Sequence, residues 1–110
     1  MKNVKARVLE FFGLIRCYFL LWVKMRGMRD RVRFRKIRNY GEVSERGLIY
    51  INFLKHRDFD ELIDTFLHEC IHILEPSWGE VKVHRVARIL ARFYPRCYFL
   101  FLIDKFLKSR

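Results

Sequence analysis

Long apolar runs are missing from this 110-residue chain. The longest, Cys17–Val23 and Cys97–Ile103, reach seven residues, against the roughly 20 that a membrane-spanning helix needs, so no span is expected. Proline and glycine are scarce, at two and five residues, and no short repeat occurs. Collagenous and low-complexity chains are thereby excluded. Cys17, Cys70 and Cys97 are too few, and odd in number, for a disulfide framework. A reducing, cytoplasmic compartment is the expectation, with peripheral membrane association open to the basic, apolar first helix. No small-residue cleavage site follows the charged start, which argues against a secretory signal.

Acidic residues are nearly missing from the first half. Residues 1–57 hold 4 Asp+Glu against 15 Lys+Arg, while residues 58–110 hold 8 of each, so the whole formal charge of +11 lies in the first half. Residues 58–81 invert the pattern, with seven acids and no Lys or Arg. What the chain has in quantity is apolar surface. Hydrophobic residues make up 52%, with eleven Phe, five Tyr and two Trp, which excludes a disordered chain. The length supports one hydrophobic core, hence a single domain over residues 1–110.

Residues 4–26 read as an apolar and basic helix, part of a 1–27 segment closed near Gly27. Arg31–Ile37 alternates apolar and basic residues, the period of a strand with one wet face, and Leu48–Phe53 is β-branched and aromatic. With a turn between Gly41 and Gly47, residues 31–53 are expected to form a short antiparallel strand pair. From Phe59 the apolar residues recur at three and four, which predicts a helix over 58–75 with Asp58 or Asp60 near its start. Pro76-Ser77-Trp78-Gly79 ends it, a second helix follows over 80–94 until Pro95, and residues 96–108 form a last one. The expected fold class is α+β, with a helix pair over 58–94.

That pair carries the chemistry. His68-Glu69-Cys70-Ile71-His72 spells H-E-x-x-H, in which two His four residues apart on a helix chelate one zinc and the Glu serves as general base. At 100° per residue, His68, His72 and Glu69 fall at about 0°, 40° and 100°, while Phe59, Leu62, Ile63, Phe66 and Cys70 fall on the far side. The motif is therefore off the core stripe. His84 is the expected third ligand, because two antiparallel helices joined at Pro76 bring it level with Cys70. Three neutral imidazoles would also leave zinc more electrophilic than a site with an added carboxylate. Glu80, one turn earlier, is the competing ligand, and the member of the pair that does not ligate could steady an imidazole.

These residues resemble the zincin metallopeptidases, and most closely the small SprT-like group, whose third ligand is likewise a His downstream of the motif. The resemblance spans about residues 47–90. It implies a small zincin-like domain and a metalloendopeptidase with one Zn2+ per chain, ligands His68, His72 and His84, and a protein or peptide substrate. It also implies that Glu69 takes a proton from a zinc-activated water, and that Leu48–Phe53 is the strand pairing with extended substrate. The chain departs from SprT-like proteins in having no Cys-rich zinc ribbon, and from metzincins in having no Gly-x-x-His continuation. Glu80-x-x-x-His84 is similar to the pattern of the glutamate-ligand zincins. Arg88 and Tyr50, with Tyr40 and Tyr94, are candidates for oxyanion or substrate contact.

Arg31, Arg33, Arg35, Lys36 and Arg38 crowd into the predicted first strand, where the alternating three share a face. Such a row suits phosphates, so residues 24–38 suggest DNA or anionic lipid as partner. The rival to the peptidase is accordingly a basic nucleic-acid-binding or membrane-surface module whose metal site is structural or vestigial.

Overall fold

Asp58 opens the central helix by accepting a hydrogen bond from the Glu61 backbone N–H at 2.8 Å. This capping satisfies one of the helix's orphan donors. The computed structural model describes residues 2–110. In it four helices, α1 (Lys2–Asp30), α2 (Phe59–Leu74), α3 (Glu80–Phe93) and α4 (Leu100–Ser109), accompany a three-stranded sheet, β1 (Val32–Phe34), β2 (Gly41–Val43) and β3 (Ile49–Ile51), which packs on α2. The fold is mixed α+β; α2 and α3 lie where periodicity puts them, whereas the last helix, expected over 96–108, begins at Leu100 after a 3-10 turn over Arg96–Phe99.

The core is built on α2. Leu62, Ile63, Phe66, Leu67, Cys70 and Ile71 are buried at the three-and-four spacing that makes one apolar side of a helix. They join Ile49 and Ile51 of β3, Val83, Val86 and Leu90 of α3, and Cys17, Leu21 and Met28 of α1 in one cluster. Phe66 meets Phe99 and Phe101 edge-on, at ring distances of 6.1 and 5.2 Å. These contacts seat the short 3-10 turn Arg96–Phe99 and α4 against α2. Pro95 separates that turn from α3, as its ring geometry requires.

Two further expectations are corrected. The first helix does not close at Gly27 but continues to Asp30. A mid-helix glycine costs about 1 kcal/mol, whereas burying a Met side chain contributes about 1.5–3 kcal/mol, and Met28 lies in the core. Burial outweighs the local preference. The predicted antiparallel pair is also wrong, since β1 runs parallel to β3, with Val32 opposite Ile49 and Phe34 opposite Ile51. The antiparallel partner of β3 is β2, formed by residues read as a turn. A tight turn over Ser44–Gly47, with Gly47 at φ 78°, folds β2 back onto β3. Residues 35–40 reverse the chain once before that, and two reversals leave β1 and β3 parallel. The resulting order is β1-β3-β2.

Candidate metal centre and its cleft

The side of α2 opposite its buried stripe carries His68 and His72, whose Nε2 atoms lie 3.1 Å apart. Pro76-Ser77-Trp78-Gly79 turns the chain so that α3 starts beside them, and its first residue reaches both rings. One carboxylate oxygen of Glu80 is 2.7 Å from His72 Nε2, and the other is 3.0 Å from His68 Nε2. Ligand atoms of His68, Glu69 and His72 also lie within 4.8 Å of one another, a group that can hold a metal ion.

The donors, imidazole and carboxylate, are of types that zinc takes. Zinc–nitrogen bonds of about 2.0–2.1 Å at tetrahedral angles put donor atoms roughly 3.3 Å apart. The His68 and His72 Nε2 atoms, 3.1 Å apart, come close to that, and each imidazole meets a different oxygen of the Glu80 carboxylate. Of the two candidates for a third ligand, Glu80 touches both imidazoles from the first position of α3, while the His84 ring, a turn further on, stands beside His68 with centroids 5.8 Å apart.

Glu69, although off the apolar stripe of α2, is buried. It is 8% exposed. The cover comes from β2, because a Cβ placed on Gly41 would lie 2.7 Å from Thr65 Cγ2 and 3.2 Å from Glu69 Cγ. Only glycine permits that approach. Burial, followed by the Glu80 and Glu42 charges, pushes the Glu69 carboxyl up to about 7. Burial also pulls the His68 imidazole below its ordinary value, against the opposing pull of Glu80. The neutral ring, the form that binds metal, is favoured.

The raised Glu69 value has a consequence for stability. The unfolded chain loses this proton near 4.5 and the folded chain near 7. The folded state thus binds more protons between those values, and its stability is full below pH 4.5 and falls as pH rises to 7. In metal-free protein, urea midpoints at pH 5 and pH 8 should show a loss about 2 kcal/mol larger in wild type than in Glu69→Gln. Equal losses in the two proteins would contradict the assignment.

A cleft of about 450 Å³ adjoins the centre, lined by Tyr40 and Gly41 from the sheet side, Thr65, His68 and Glu69 from α2, and His84 and Arg88 from α3. Arg88 and Tyr40, two of the candidates for substrate contact, line this cleft, and Tyr50 does not. Its ring sits under the Arg35 guanidinium at 4.7 Å, on the sheet face opposite the buried Ile49 and Ile51. Tyr94 is also elsewhere, its hydroxyl donating to the Tyr18 carbonyl at 2.9 Å. His56, which the sequence leaves without a role, bonds Asn52 O at 2.8 Å and Thr65 Oγ1 at 2.7 Å, bracing the cleft wall.

Strand β1 covers only 32–34, which leaves Arg35, Lys36 and Arg38 to the following loop. Arg33 donates to the Asp30 and Val32 carbonyls at 2.7 and 2.9 Å, Arg35 covers Tyr50, and Arg31 lies beside Gly47. Among the described residues no helix is long and apolar enough to cross a membrane. Comparison with family models, with curated proteins and with solved structures returns no match.

Proposed function

We propose that this chain is a zinc-dependent metallopeptidase of the zincin kind, with His68, His72 and Glu80 as ligands and Glu69 as general base. The observation that carries this reading is the convergence of both imidazoles on the Glu80 carboxylate, beside a buried Glu69. A carboxylate as the third ligand favours the glutamate-ligand arrangement over the SprT-like one. Zinc bound there would supply Lewis acidity to a scissile carbonyl and make bound water more acidic.

The chain's own residues account for the rest. Glu69, beside both imidazoles, is placed to take a proton from water and return it to a leaving amine. Arg88 lines the cleft and offers positive charge to a developing oxyanion. Substrate pairing moves from the expected Leu48–Phe53 to β2, because β3 is central and paired on both sides. Among the described residues β2 pairs with β3 alone, and Gly41 stands at the cleft. Its other edge suits an extended peptide, which would add as a further strand.

Metal analysis and proteolysis test this together. Purified protein should bind one zinc and cleave an unfolded protein such as casein, with chelator stopping cleavage and zinc restoring it. Glu80→Ala should weaken zinc binding by more than 100-fold, and His84→Ala by about tenfold, the size of an outer-shell effect. The reverse order would return the third position to His84, and wild-type protein that takes up no zinc would end the proposal.

A further inference from the structure

Helix α1 is apolar on two opposite sides, and only one of them has a partner. Taking Cys17 as 0°, the core residues Leu14, Leu21 and Met28 fall between about 0° and 60°. Val8, Phe11, Phe12, Ile15, Phe19 and Trp22 fall between about 120° and 220°, and each is 46% to 63% exposed. With Val4 at its start the stripe runs about 27 Å along the helix. Five aromatics half in water, Tyr18 included, expose on the order of 500 Å² by themselves. A monomer rarely leaves an apolar patch of that size without a use.

The charges around the stripe indicate the use. Lys5 and Arg7 are exposed on its two flanks, at about 240° and 80°, and Arg26 is exposed beyond its far end, near 180°. Neither flank carries an acid. Glu10 is on the core side, held by Arg85 at 2.8 Å, and Asp30 is the last residue of the helix. A second copy seated on this stripe would bring a chain of charge +11 against another of +11, with Lys5 and Arg7 finding no carboxylate opposite them. Anionic headgroups provide that partner, while Phe and Trp rings insert at the level of the acyl boundary.

We propose that the outer side of α1 docks the protein flat on an anionic lipid surface, its aromatic stripe buried in the interface and Lys5, Arg7 and Arg26 meeting headgroups. The proposal rests on α1 alone and is independent of the metal centre.

Flotation of the 110-residue chain with vesicles tests it. The protein should float with phosphatidylcholine vesicles containing about one third phosphatidylserine, and stay behind with phosphatidylcholine alone. Phe12→Gln, Phe19→Gln and Trp22→Gln together should lower the bound fraction at least tenfold, and because these side chains lie outside the core, circular dichroism should show the helices retained. Lys5→Gln with Arg7→Gln leaves the stripe whole and should lower binding to anionic vesicles roughly tenfold or more. Failure of the wild type to float overturns the proposal, as does undiminished flotation of either variant. A dimer that persists in solution with the vesicles overturns it too, and assigns the stripe to a second copy.

Discussion

Replacing Glu69 by Gln should leave zinc content unchanged and lower peptide hydrolysis by about 10²–10⁴-fold, the range that a positioned general base contributes. Gln keeps the shape of Glu and can still hydrogen-bond, but it cannot accept a proton from water or hand one to a leaving amine. The size of the effect follows from where Glu69 sits. It is 8% exposed, under β2, and in the metal-free protein burial and the Glu80 and Glu42 charges push its carboxyl up to about 7; a cation held beside it would favour the ionised form, the one that takes a proton from water. A Gln variant that cleaves as well as wild type would remove Glu69 from the chemistry while leaving the metal centre standing. A variant that loses zinc as well would make Glu69 a ligand.

That burial was not legible in the sequence. Angles on the α2 wheel set His68 and His72 off the buried side, where they lie, but they describe one helix and know nothing of the strand laid across it at Glu69. Gly41-Glu42-Val43 offers one β-branched residue between polar neighbours, a poor strand by composition. It becomes β2 because the Ser44–Gly47 turn folds it onto β3. The helices were legible for the opposite reason. Phe59 to Leu74 and Val83 to Leu90 recur at helical spacing, and capping and proline residues mark their ends. The choice between Glu80 and His84 fell between these cases. Helix rise gave their levels along α3, but it did not give the reach of a glutamate side chain across the start of a helix.

Gly41→Ala should cost about 1–3 kcal/mol, the range for pressing an extra methyl into a packed site, and lower the melting temperature by several degrees. The cause is contact rather than backbone strain, since Gly47 is the glycine with positive φ. A methyl on Gly41 would stand 2.7 Å from Thr65 Cγ2. Thr65 cannot turn aside without breaking its 2.7 Å bond to His56, whose other ring nitrogen is bound to the Asn52 carbonyl at 2.8 Å. The strand must therefore lift away from α2, which uncovers Glu69 and returns its carboxyl toward ordinary values. Hydrolysis should fall with stability. Thr65→Ser separates this account from a general intolerance of substitution, because it removes Cγ2 and keeps the hydroxyl for His56. Alone it should cost about 0.5–1.5 kcal/mol, as loss of one methyl does. Combined with Gly41→Ala it should recover most of the stability lost to alanine, a favourable coupling of at least about 1 kcal/mol between the two sites. Strictly additive losses in urea denaturation would mean that β2 does not rest on Thr65, and that the cover over Glu69 has some other origin.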